Sequence, residues 1–102
     1  MAKIGGYEIR VAGLWWCRQE DYSALLDIFE DSDGLPRTWE EWLQRSEIAE
    51  RRFQDDGHIV ERVYLDVDTF GSWCRQKGKR INSQARIEYA SWVAAQKHKS
   101  TH

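Results

Sequence analysis

Only two stretches of this sequence read as strands, and two helical stretches separate them. The first runs from Tyr7 to Cys17 and alternates loosely, with Tyr7, Ile9, Val11 and Trp15 on one side. Its β-branched and aromatic content suits a pleated, half-buried surface. Gly13 inside it predicts a bulge or a split into two shorter strands. The second stretch runs from Ile59 to Val67, with Val63, Leu65 and Val67 on one face and Val60, Arg62 and Tyr64 on the other. Apolar groups on both faces predict an inner strand. Two strands alone make a marginal sheet. The sheet therefore needs a further strand near the N-terminus, or a second copy of the chain pairing edge to edge across a two-fold axis.

The remaining sequence is helical in pattern. Asp21 is placed to cap a helix from about Tyr22, along which Tyr22, Leu25, Leu26 and Phe29 form one apolar stripe. Asp33-Gly34 and Leu35-Pro36 end it. Thr38 and Glu41 then have capping-box spacing, and Trp39, Trp42, Leu43, Ser46, Ala49 and Phe53 recur at helical intervals as far as Gly57. Asp68 is read as the cap of a short helix through Phe70, Trp73 and Cys74 that stops at Gly78. Asn82 caps the last helix, which packs through Ala85, Tyr89, Trp92, Val93 and Gln96. The order β-α-α-β-α-α defines an α+β fold, a small sheet packed against about four helices. At 102 residues the chain has room for one core, assigned here to residues 1–97, with 98–102 a loose polar tail.

Several of these local patterns occur together: Glu20-Asp21-Tyr22; Leu35-Pro36 with Thr38 and Glu41-Trp42; Val63 with Val67-Asp68, Phe70, Trp73-Cys74 and Gly78; and Asn82 with Ala85-Arg86. In combination they resemble a small uncharacterised bacterial protein family of about this length. The resemblance implies one compact domain, and no established activity comes with it.

Composition narrows the function. The hydrophobic fraction is 41%, with six Trp and four Tyr, enough large aromatic surface to order the middle of the chain. No apolar run approaches the roughly 20 residues of a membrane span, and Met1 to Gly6 lacks the apolar segment of a signal peptide. The expected setting is the cytoplasm, with Cys17 and Cys74 as free thiols. Formal charge is unevenly spread. It is −8 before Gly71 and +6 from Gly71 onward, making −2 in total. Such asymmetry points to an anionic partner or to self-association, unless the two parts neutralise each other within the fold.

Chemistry-bearing sets are sparse. Cys17 or Cys74 with His58 would make a nucleophile and base if His58, starting the second strand, met Cys17 at the end of the first, but no local signature supports the pairing. Cys17, His58, Cys74 and His98 lack the paired close spacing of structural zinc ligands. Asp31, Asp33, Asp66 and Asp68 lie near turns without the remaining ligands of a calcium loop. No glycine-rich phosphate loop occurs. No catalytic, cofactor-binding or metal residue is therefore assigned.

The C-terminal helix pair, joined through Gly78, has the outline of a helix-turn-helix. On that reading Asn82, Gln84 and Arg86 face base edges and Arg75, Lys77, Lys79 and Arg80 face phosphates, although Gln84 stands where an apolar packing residue is wanted. The favoured reading is a non-catalytic interaction module, homodimeric, with Trp16, Trp39 and Tyr64 as interface candidates. The alternatives are a nucleic-acid-binding domain using the basic helix pair, and a small enzyme with a Cys/His site.

Overall fold

The computed structural model of the chain describes residues 2–4 and 7–99, and side chains from 10 to 98. Strand β1 (Ala2–Ile4) runs antiparallel to β2 (Tyr7–Trp16), with Ala2 opposite Ile9 and Ile4 opposite Tyr7. Strand β3 (His58–Tyr64) pairs parallel to β2, in a register that runs without interruption from Arg10 opposite His58 to Trp16 opposite Tyr64. The sheet order is β1-β2-β3. The missing strand is thus the short β1.

The inner-strand reading of β3 is corrected, because β3 is an edge. Its two faces are apolar because a helix lies over each of them. Arg62 reaches Glu50 of helix α2 (Trp39–Asp55) at 2.7 Å. Glu61, one residue earlier and so on the opposite face, accepts from Lys97 of helix α4 (Ser83–Lys99) at 3.1 Å. Parallel strands are normally covered on both faces in this way.

The expected bulge at Gly13 is also absent from the β2–β3 register. A Cβ there would collide with the Ala90 carbonyl oxygen and come within 2.8 Å of the Ala94 Cβ. Glycine instead lets the backbone of α4 lie directly against β2.

Helix α1 (Gln19–Ile28) starts earlier than Asp21 capping would allow. Arg18 is its N-cap and offers no side-chain bond, while Glu20 and Asp21 sit in the first turn, where they complement the helix dipole. A single 3₁₀ turn (Ser32–Gly34) comes next. Thr38 then caps α2, accepting from the Glu41 N–H at 3.2 Å, and Gly57 takes the left-handed conformation (φ +93) just past its end. Helix α3 (Val67–Lys77) is capped by Asp66, which accepts from the Thr69 N–H at 2.8 Å. Asp68, expected in that role, lies inside the helix. Gly78 (φ +64) closes α3, and Asn82 caps α4 as expected, accepting from the Ala85 N–H at 3.1 Å. Helix α4 extends past the expected domain limit at 97. His98 and Lys99 are helical, and the rest of the expected tail lies outside the described residues.

Leu25, Leu65 and Phe70 are the largest fully buried side chains, with Cys17 and Cys74 beside them. Trp42 gathers Trp15, Trp16 and Tyr22 at ring-centroid distances of 5.1, 5.3 and 5.9 Å. A second aromatic chain runs from Phe29 through Phe70 to Tyr89. No helix among the described residues is long and apolar enough to cross a membrane.

The contact at Gly13 makes a specific demand on size. Gly13→Ala forces α4 away from β2 and is expected to cost about 1–3 kcal/mol, the usual range for overpacking. Urea unfolding followed by Trp fluorescence measures it, and an unchanged midpoint would refute the close approach.

Candidate functional site

The parallel pairing of β2 and β3 separates the residues of the thiol–imidazole reading. His58 lies beside Arg10 at the start of the pair, whereas Cys17 comes after Trp16 at its end. At about 3.3 Å per residue the two are about 23 Å apart along the strands. Only antiparallel pairing would have brought them together. Cys17 is 1% exposed, and its thiol is pushed up to about 12, first by burial and then by the nearby charge of Asp21. Burial also raises Cys74. Both are free cysteines held as protonated core groups. Among the described residues, no group of three or more His, Cys, Asp or Glu could hold a metal ion.

The basic C-terminal residues are placed case by case. Arg86 is 3% exposed. Its two terminal nitrogens grip both oxygens of Asp31 at 2.9 Å, and its guanidinium lies 4.4 Å from the centroid of Phe29 and 5.1 Å from that of Trp15. It is not presented to a base edge. Arg80 donates to Glu30 at 2.7 Å. Lys79 pairs with Glu88, and Gln84 donates to that same carboxylate at 3.0 Å. The Asn82 side chain is spent on its cap. Arg75 and Lys77 are exposed and make no ion pair among the described residues.

The packing position in α4 belongs to Ala85, followed by Tyr89 and not by Glu88, so the helix buries Ala85, Arg86, Tyr89, Ala90 and Ala94 against the sheet and α3. Much of the positive C-terminal part is neutralised within the fold. Arg80, Arg86 and Lys97 each take a carboxylate from the acidic part of the chain.

Sequence reading missed the docking of Glu30 and Asp31 onto the start of α4. Glu30 accepts from the Ile81 N–H and Asp31 from the Ser83 N–H, both at 3.1 Å. Adjacent acids just after an apolar helix, with an Asn-Ser helix start far along the chain, are the only trace of it in sequence. These bonds hold the carboxyls of Glu30 and Asp31 below their ordinary range, for Glu30 mainly through the backbone bond from Ile81 and for Asp31 mainly through Arg86.

The three interface candidates converge on one open groove at the C-terminal ends of β2 and β3. Trp16, Trp39, Leu43, Tyr64, Arg18 and Arg62 line it. Trp16, expected at an interface, is 2% exposed because the Arg62 guanidinium lies 4.1 Å over its ring. Trp39 is half-buried, its indole N–H donating to the Cys17 carbonyl at 3.1 Å. Tyr64 is 44% exposed, with the Arg18 guanidinium 5.0 Å over its ring. Of the three, Tyr64 is the one open to a partner. It also ends the free edge of β3, whose other end carries Ile59, 49% exposed.

One bond decides which backbone groups of β3 are free. The Leu65 N–H donates to the Trp16 carbonyl at 2.8 Å. Alternation along a strand then turns the N–H and C=O of His58, Val60, Arg62 and Tyr64 away from β2. Among the described residues no strand takes them up.

In comparisons with protein-family models, curated proteins and solved structures, nothing matches the chain.

The buried ion pair and the buried thiols can each be tested. Asp31→Ala leaves Arg86 buried without its counter-ion and should destabilise the fold by about 2–3 kcal/mol, less than a fully enclosed pair because Asp31 itself is partly open to water. A carboxyl with a lowered folded-state value contributes stability that is complete above its unfolded value, near 3.8 for Asp31, and is lost as pH falls through the folded value. Denaturation midpoints of the wild type should therefore fall faster below about pH 4 than those of Asp31→Ala; parallel pH profiles would contradict this. Separately, maleimide labelling at pH 7.5 should be at least about tenfold slower at both cysteines in the native protein than in denaturant.

Proposed function

We propose that this chain is a non-catalytic interaction module that works as a homodimer, joined through the free edge of β3. The observation that carries the reading is that edge. A seven-residue strand offers four residues' worth of outward backbone donors and acceptors, with exposed apolar groups at both ends. An open, partly apolar edge is a template for pairing with another chain, and closed two-fold assembly is the commonest way to cover one.

The chemistry around the site supports binding over catalysis. The thiols are buried and protonated, and His58 stands at the opposite end of the parallel strands from Cys17. Two unpaired cysteines also fit the reducing cytoplasm, which is the setting we propose. The nucleic-acid reading is disfavoured by the internal pairing of Lys79, Arg80 and Arg86, because cations already held by carboxylates are not free to neutralise phosphates.

Light scattering across a concentration series tests the reading, with a two-chain mass expected. Val60 points its N–H outward, so Val60→Pro removes a donor from the edge without touching the β2–β3 ladder. This variant should have a one-chain mass and a melting transition close to that of the wild-type subunit. A wild-type protein that stays at one-chain mass at high concentration, or a folded Val60→Pro that stays dimeric, would reject the proposal.

A further inference from the structure

A homodimer joined through β3 could adopt more than one strand register, and the distribution of exposed groups along β3 selects among them. We infer, on the basis of the homodimer reading, that the two β3 strands overlap along their whole length, with the two-fold axis through Glu61, so that the partner's His58 and the partner's Phe53 cover the open side of Tyr64.

Parity restricts the choice first. A two-fold axis perpendicular to the sheet relates residues on the same face, so opposed residues are both even-numbered or both odd-numbered. The outward-facing groups belong to His58, Val60, Arg62 and Tyr64. Full overlap of His58–Tyr64 with its own copy opposes His58 to the partner's Tyr64 and Val60 to the partner's Arg62. Each such pair exchanges two backbone hydrogen bonds. Sliding either way by the two residues that parity requires leaves outward groups at the strand ends unpaired.

Side chains agree with this register. The Phe53 ring packs edge-on against His58 at 5.4 Å, and the Phe53 carbonyl lies 3.2 Å from the His58 Nδ1. Phe53 is itself 37% exposed. His58 and Tyr64 share a face of β3, so the aromatic pair at one end of the strand meets the exposed Tyr64 at the other end of its copy. The match is reciprocal, as an isologous contact requires.

On the opposite face, Ile59 is set against the partner's Val63. The two Glu61 side chains come together at the axis, each already neutralised by Lys97 at 3.1 Å. The groove lined by Trp16, Trp39 and Tyr64 is then walled on its Tyr64 side by the partner subunit.

Cysteine cross-linking tests the register in the full chain. At the axis the opposed residues form a non-hydrogen-bonded pair, with Cα atoms about 4.5 Å apart, within disulfide range. Under mild oxidation Glu61→Cys should convert almost wholly to a covalent dimer. Ile59→Cys should not, because its two copies lie more than about 13 Å apart. The buried native cysteines should leave the unmutated chain uncross-linked.

Hydrogen exchange on the unmutated protein gives an independent readout, with the amides of His58, Val60, Arg62 and Tyr64 slowing together as concentration rises. A two-chain mass with cross-linking at Ile59→Cys instead of Glu61→Cys, or with slowing confined to one half of the strand, overturns the register and leaves the homodimer standing. A one-chain mass removes both.

Discussion

A guanidinium sealed inside a small domain has to bring its counter-charge with it, and much of this structure is arranged around that requirement. Arg86 sits against Phe29 and Trp15, and both of its terminal nitrogens are held by Asp31. Because Asp31 also takes the Ser83 N–H, and Glu30 the Ile81 N–H, the turn after α1 is fastened to the start of α4. The position of α4 in turn fixes which side chains face the sheet. An unpaired buried charge would cost more than the pair contributes, so the clasp acts chiefly by excluding other placements of the last helix.

The same pairing explains why the charge asymmetry is a poor guide to partners. The positive final third and the acidic remainder meet inside one fold, through Arg80 with Glu30, Arg86 with Asp31 and Lys97 with Glu61. Residues that look on paper like a phosphate-binding strip serve as fasteners. Lys79 and Gln84 are held on Glu88 within the C-terminal part itself.

Most of the helices could be read directly, because caps and turn glycines are local chemistry. Thr38, Gly57, Gly78 and Asn82 act where their spacing implied. The misplaced starts of α1 and α3 came from taking the acids Asp21 and Asp68 as caps; α1 starts after Arg18, which makes no side-chain cap bond, and Asp66 caps α3 two residues before Asp68. The two longer strands were legible, but β1 was not, and the second was read too far, since β3 ends at Tyr64 and Val67 opens α3. Val60 and Val63 look the same whether a strand's faces are covered by helices on an edge or by helices at the centre of a sheet. Gly13 likewise signalled an exception, and only the neighbouring helix identified it as a close approach. The interface candidates were partly legible. Tyr64 is exposed, whereas Trp16 is hidden beneath Arg62, a cation–π contact formed two rungs along the parallel ladder from the residue paired with Trp16.

The seat of α4 on β2 bears on the order in which the chain folds. Gly13 belongs to the strand that pairs with both neighbours, yet its cover comes from Ala90 and Ala94 near the other end of the sequence. Contacts this distant form late, since a long loop must close before they return any stabilisation. β2 and β3 can align before α4 is seated, and until it docks the sheet face that carries Gly13 stays open to water.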